Sequence, residues 1–401
     1  MLKYIVYLLL PSLVFSYQIS KNEDVSSSSN LTTKYQGKTA VYWGQASAKQ
    51  QNPLRYYCDS DSVDIFLVSF LNDFPNSKKS KYGYELNLAN ECNYHEANDQ
   101  SKTVPNCTTV GVDIKYCQSL NKTVLLSLGG EQGDYGFNSE REAYDFAKIL
   151  WNSFASRNDP NFPLSDRPFG NATIDGFDFD LENEDQTGLV TLAKELKKYA
   201  SQDDSKEYLF TAAPQCTFPD VSMNELIEQV ELDHLFVQFY NNECNLNKDF
   251  NFDIWSKHIE SLNYKHTDIF IGLPANSKSA QMGFANKETI LTKMQEVWSD
   301  EELKTKFGGV MFWDASQGFG YGDVNTFDTN LITEVASYID REANNNKKDG
   351  DSGVTVSETI NTNSSIILKD ANDSNSQFID KVDIAFLIVA FLFSTWLITG
   401  S

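Results

Sequence analysis

Short apolar, β-rich runs recur along the middle of the chain, and amphipathic stretches separate them. Eight runs stand out: 39–43, 63–70, 123–127, 174–181, 208–212, 234–239, 269–272 and 309–312. Between them, 140–154, 189–200 and 288–298 carry apolar residues at helical spacing, and a last such stretch, 330–343, follows the final run. Strand alternating with helix predicts parallel strands joined by helical crossovers. Eight such units predict an α/β fold, a closed (β/α)8 TIM barrel. A doubly wound open sheet is the alternative that counting leaves open. No GxGxxG motif follows an early strand, so nucleotide binding has no support. The segment 72–109 is long and contains Cys92 and Cys107. It reads as an extended, disulfide-pinned βα loop, of the kind from which barrel enzymes build sites at the C-terminal ends of their strands.

The ends have a different pattern. In residues 1–16, Lys3 precedes an apolar stretch from Ile5 to Val14, and Ser16 is a small residue at the expected cleavage point. This is the layout of a signal peptide. Residues 17–35 are polar and predicted to be flexible, 36–343 are expected to form one globular domain, and 344–380 read as a polar, disordered spacer. Residues 381–401 hold a second apolar run, Ile384 to Thr399, with small residues upstream. That layout predicts a GPI-attachment signal, a plain transmembrane helix being the alternative. A secreted, surface-anchored protein is expected, touching the membrane only through the lipid. Sequons at Asn30, Asn106, Asn121, Asn171, Asn363 and Asn372 fit a secreted glycoprotein.

Composition narrows the partners. The net charge of −23 repels phosphate backbones, so nucleic acid is not expected as a partner. Six cysteines, Cys58, Cys92, Cys107, Cys117, Cys216 and Cys244, suggest disulfides in a secreted chain, with their pairing open. The four histidines form no ligand-spaced cluster, and neither CxxC nor HExxH occurs. Neither a metal nor a cofactor is expected.

The chemistry concentrates in Asp175-Gly176-Phe177-Asp178-Phe179-Asp180-Leu181-Glu182. Strand side chains alternate faces. Asp178, Asp180 and Glu182 therefore share one face, and Phe177, Phe179 and Leu181 the other. The aromatic face packs outward on helices and the acids point into the barrel. Calcium binding also uses acids at alternate positions, but the apolar interleaving marks a buried strand rather than a loop. Crowded carboxylates raise one another's proton affinity, and such clusters concentrate at functional sites. Glu182, at the strand's C-terminal end, is the natural general acid. Asp180 can share a proton with Asp178 and then turn to the substrate.

This block resembles the DxxDxDxE signature of glycoside hydrolase family 18. The wider pattern is similar to its class III, hevamine-like chitinases of fungal type. The resemblance covers about residues 38–340 and rests on Val41-Tyr42-Trp43-Gly44-Gln45, Ser127-Leu128-Gly129-Gly130, Thr211-Ala212-Ala213-Pro214-Gln215-Cys216, Val237-Gln238-Phe239-Tyr240-Asn241-Asn242 and Gly308-Gly309-Val310-Met311-Phe312-Trp313.

The resemblance implies retaining endo-hydrolysis of chitin assisted by the substrate's own acetamido group, with chitin and its oligomers as partners; a monomer is expected. It implies Glu182 as acid and base, Asp180 on the acetamido N–H beside Asp178, and Tyr240 on the acetamido oxygen. Trp313 would underlie the reacting sugar. Tyr42, Gln45, Asn72, Gln238 and Asn241 would line the cleft, which Gly129 and Gly130 would keep open. It also implies the pairs Cys58–Cys117, Cys92–Cys107 and Cys216–Cys244. One departure is Ala46-Ser47-Ala48-Lys49, where the family commonly has Asn-Gly or Asn-Ser after Gly-Gln. That loop bears on outer sugar contacts. Rival readings are a non-catalytic chitin lectin, a structural wall protein and an endo-β-N-acetylglucosaminidase acting on glycoproteins.

Overall fold

A computed structural model describes residues 37–92, 104–320 and 330–350. The signal-peptide, anchor and most of the spacer expectations, with Asn30, Asn363 and Asn372, lie outside the described residues.

Eight parallel strands close a barrel: β1 (Lys38–Trp43), β2 (Ile65–Phe74), β4 (Thr123–Gly129), β6 (Gly176–Asp180), β7 (Leu209–Ala212), β8 (His234–Gln238), β9 (Asp268–Pro274) and β10 (Phe307–Trp313). Each pairs with the next in that order, and β1 pairs in parallel with both β2 and β10, which rules out the open sheet. Two short strands, β3 (Glu85–Leu86) and β5 (Asp134–Tyr135), extend the rim by pairing with β2. The helices are α1 (Leu54–Cys58), α2 (Thr108–Ser119), α3 (Glu140–Phe154), α4 (Leu189–Ala200), α5 (Asn224–Gln229), α6 (Phe252–Ser261), α7 (Lys287–Ser299), α8 (Ala315–Phe319) and α9 (Leu331–Gly350). The last runs on to Gly350, into residues that the sequence assigned to the spacer.

Local chemistry accounts for the element ends. Ser139 precedes α3, and its hydroxyl accepts from the Glu142 N–H, satisfying one of the orphan donors of the first turn. Glu140 and Glu142 place negative charge where the helix dipole favours it. The buried face of α3 is Ala143, Phe146, Ala147, Leu150, Trp151 and Phe154, at the three- and four-residue spacing of one helical stripe. Beyond its C-terminus the buried Arg167 donates to the carbonyls of Asn152, Ala155 and Ala172. Gly176, at the start of β6, has φ +154°, and a Cβ there would collide with the Leu209 carbonyl. Only glycine lets β7 approach β6 so closely.

The core has two layers, set by the strand alternation. Phe177, Phe179 and Leu181 join the large cluster between barrel and helices. Ala40, Tyr42, Ile65, Leu67, Phe70, Leu125, Phe236, Phe270 and Met311 fill the barrel itself. The interior is thus packed solid below the catalytic end. Disulfides join Cys58 to Cys117, Cys92 to Cys107 and Cys216 to Cys244, as the family resemblance implied. The first ties α1 to α2. The second closes the 72–109 segment, whose first residues continue β2. The third links the chain just after β7 to the chain just after β8.

Candidate active site

At the C-terminal ends of the strands opens a cleft of about 630 Å³. Asp180 and Glu182 lie on its floor and wall, with Gln238, Tyr240 and Trp313 beside them. Asp178 and Asp180 on β6 and Glu182, two residues beyond its end, climb from dry to wet. Asp178 is fully buried and accepts hydroxyl donors from Tyr42 (2.9 Å), Ser127 (2.6 Å) and Thr211 (2.6 Å). Asp180, 4 % exposed, accepts from Gln238 Nε2 at 2.9 Å. Glu182 is half-buried and accepts from Gln215 Nε2 at 3.3 Å. Its backbone N–H donates to the Tyr135 hydroxyl, which in turn donates to the Gly130 carbonyl.

The electrostatics follow from this stacking. Burial raises the proton affinity of Asp178, and its three hydroxyl donors oppose that rise. Asp180 is pushed well above the usual carboxylate range, first by burial and then by Glu182, Asp178 and Asp220, with Gln238 opposing. Burial also raises Glu182, against the Gln215 hydrogen bond, while Glu131 and Asp220 add to the rise. Tyr240 is raised by burial and by the charges of Asp180, Glu182 and Asp314, so its hydroxyl stays protonated as a donor. The result is a cleft-facing carboxyl of raised proton affinity, beside a second raised carboxyl and a buried phenol. Such a set can protonate a leaving group and hold a polar N–H or C=O in place.

Other expected residues take more particular positions. Trp313 lines the cleft, stacked on Phe70 at 5.9 Å and edge-on to Tyr42 at 5.4 Å. Tyr42 lies beneath that floor, 1 % exposed, where it supports Asp178. Gln45 lines the cleft while its amide donates to the Ser69 and Asn87 carbonyls. Asn72 sits at the rim and donates to the Gln132 carbonyl, holding the loop that bears Glu131 and Gln132. Gly129 and Gly130 lie behind the wall rather than on it. A Cβ on Gly129 would strike the Asp180 carbonyl, and one on Gly130 the Phe70 ring. Asn241, at φ +58°, lines the cleft, but its side-chain oxygen already accepts from the N–H groups of Gln281 and Met282. It thereby docks the 278–281 wall.

The divergent loop 46–49 is anchored, not loose. Gln51 accepts from the Gly44 and Ala46 N–H groups, and Ala48 N–H donates to Ser316 at the start of α8. Sequence reasoning gave no role to Phe70, Glu131, Gln132, Gln215, Asn242 or the 278–281 loop, all of which line the cleft. Gln215 stood next to a cysteine inside a recognised block, which was its one available signal. Asn242 likewise closed a recognised block and Phe70 ended an apolar run, while Glu131, Gln132 and loop 278–281 carry no such mark. Among the described residues, no group of three His, Cys, Asp or Glu side chains is arranged to hold a metal ion, and no helix is long and apolar enough to cross a membrane.

Comparison with known proteins agrees with this architecture. Chitinase 3 of Candida albicans is 42 % identical over 303 residues, 74 % of this chain and 50 % of that protein. The Endochitinase of Saccharomyces cerevisiae is 40 % identical over 281 residues, 70 % of this chain and 47 % of that protein. The chain thus spans about half the length of the curated relatives it matches. The crystal structure of ICChI chitinase from Ipomoea carnea superposes with a TM-score of 0.58 at 29 % identity, covering 75 % of this chain and 99 % of that one. Residues 38–346 match the sequence family described as Glycosyl hydrolases family 18, and the chain belongs to that family.

Proposed function

We propose that the protein is an endo-chitinase that cleaves β-1,4 bonds between N-acetylglucosamine units with retention of configuration. One observation carries the reading: Glu182, with raised proton affinity, faces a cleft beside Asp180, Tyr240 and Trp313. The names of the relatives supply the substrate class.

In this mechanism Glu182 gives its proton to the glycosidic oxygen as the C1–O bond breaks. The acetamido oxygen of the same sugar bonds to C1, forming an oxazolinium ion. Asp180 accepts the acetamido N–H and offsets the positive charge, and the Tyr240 hydroxyl donates to the acetamido oxygen to orient it. Water then attacks C1 from the face the leaving group vacated as the C1–O bond to the acetamido oxygen breaks, and the Glu182 carboxylate takes the water's proton, so the acid and the acetamido group are both restored. Trp313 offers a ring face to the C–H face of the sugar. Gln45, Gln238 and the wall held by Asn241 supply polar contacts, while Tyr42, Asp178, Asn72, Gly129 and Gly130 act from behind by fixing the positions of these groups. Only sugars with a 2-acetamido group can follow this route. A signal peptide at 1–16, a catalytic domain at 36–343, a spacer and a GPI signal at 381–401 complete the proposal of a surface glycoprotein that remodels chitinous wall.

The test compares hydrolysis of N-acetylglucosamine oligomers, fully deacetylated oligomers and N-glycans. The reading predicts cleavage of the first alone. Cleavage of N-glycans in preference would move the assignment to an endo-β-N-acetylglucosaminidase. Binding without cleavage would make the protein a lectin.

A further inference from the structure

Beside Glu182 stands a short chain of amides whose polarity the backbone fixes. The Tyr240 carbonyl can only accept. Asn242 Nδ2 donates to it at 3.4 Å and to Gln215 Oε1 at 3.1 Å. With its oxygen so occupied, Gln215 must present its amide nitrogen to Glu182, and Nε2 lies 3.3 Å from Glu182 Oε2. The backbone around this chain is held on every side. Gln215 N–H donates to Asp220 at 3.0 Å, Gln238 N–H donates to the Pro214 carbonyl at 2.8 Å, and the Cys216–Cys244 disulfide clamps the two segments that carry Gln215 and Asn242.

We infer that Gln215 is a positioning residue for the proposed reaction: the relay Tyr240 C=O, Asn242, Gln215 keeps an N–H on Glu182 Oε2, so the transferable proton resides on Oε1. This rests on the hydrolytic reading above and adds what sets the protonation site and the acid strength. A donor to the charged form of a carboxyl favours ionisation. Gln215 therefore makes Glu182 a stronger acid than burial alone would leave it, in line with its opposing effect on the Glu182 proton affinity. The other groups facing Glu182 are charged or titratable from several sides. They are Asp180 at the end of β6, Glu131 after β4, Tyr135 on β5, Asp220 after β7 and Tyr240 after β8. Lys278 lies on the loop after β9 that completes the cleft. Burial, Glu131 and Asp220 oppose ionisation of Glu182, so the amide donors, Gln215 foremost with Gln238 in support, are its counterweight.

The experiment records pH profiles of kcat and KM on a soluble N-acetylglucosamine oligomer for wild type, Gln215→Met and Asn242→Ala. General acid catalysis is lost as pH rises through the pKa of the acid. Gln215→Met removes the donor at similar volume. Its alkaline limb should move to higher pH, with kcat at the optimum down about tenfold and KM changed less than about twofold, as fits the loss of one charge-assisted hydrogen bond. Asn242→Ala frees the Gln215 amide to turn, and the same shift is expected at smaller size. A purely structural role would lower rates equally at every pH. An unmoved limb, or one displaced to lower pH in either folded variant, overturns the inference. If Gln215→Met does not fold, Asn242→Ala decides alone. Carbon-13 NMR titration of the Glu182 carboxyl reads the same shift without turnover, so failure of the relay is separable from failure of the hydrolytic reading.

Discussion

The two ends of the barrel both bury titratable side chains, yet only one end is built to use them. At the C-terminal end Asp178, Asp180 and Glu182 each have donors aimed at them, and a cleft opens above. At the N-terminal end His234, the first residue of β8, is buried with neither ring nitrogen hydrogen-bonded. Burial, with help from Lys38, pushes its pKa down to about 3. Its neighbour Asp268, 3.8 Å away, is raised to about 6, mainly by burial, although its side chain stays 45 % exposed. A displaced pKa is therefore common to both ends and marks neither as functional. What sets the catalytic end apart is convergence: donors with fixed polarity, an aromatic floor and access for a ligand.

That contrast can be broken by mutation at either end. The largest effect is expected for Glu182→Gln, which should cut turnover of chitin oligomers by about 10²–10⁴-fold with an unchanged melting temperature. Near-normal turnover would remove Glu182 from the mechanism. Asp180→Asn should follow, at roughly 10²-fold in kcat, because it takes away the charge opposite the developing cation. Steady-state kinetics with KM recorded separately would check it.

Asp178→Ala probes packing as much as chemistry. It strands the hydroxyls of Tyr42, Ser127 and Thr211 inside the barrel, and the melting temperature should fall by about 3–8 °C. An unaltered melting temperature would mean that those hydroxyls find other partners.

His234→Phe should leave oligomer turnover at neutral pH as it is and act only on stability, and only in acid. The sign is set by the depressed pKa. The unfolded chain takes up a proton near pH 6.5 and the folded one only near 3, so wild type loses stability as pH falls through that window. Asp268 works the other way, gaining stability as pH falls below about 6, but its exposure leaves it screened. The variant should therefore melt about 2–4 °C above wild type near pH 4 relative to their gap at pH 7, in scanning calorimetry. A gap that does not change with pH would show that His234 has a partner in solution.

Much of this architecture is legible in the pattern of residues. The period-two alternation of Phe177 to Glu182 sorts aromatic from acidic faces, and both faces lie where that alternation places them. Eight apolar runs map onto eight barrel strands because a buried parallel strand has to be apolar. The cleft walls are a different matter. Loop 278–281 owes its position to Asn241, forty residues upstream in the chain, and no local pattern encodes a contact of that kind. Gly129 and Gly130 were legible as important but not as packing elements, since their partners, the Asp180 carbonyl and the Phe70 ring, come from other strands. Gln215 has meaning only through Asn242 and Glu182, which three separate strands bring together.

The most direct measurement follows the anomeric proton by NMR during cleavage of a defined N-acetylglucosamine oligomer. Attack by the substrate's own acetamido group, followed by water on the opposite face, the one the leaving group vacated, places a β-anomer at the new reducing end before mutarotation. An initial α-anomer would mean a single displacement by water, and neither Asp180 nor Tyr240 could then be orienting an attacking acetamido group.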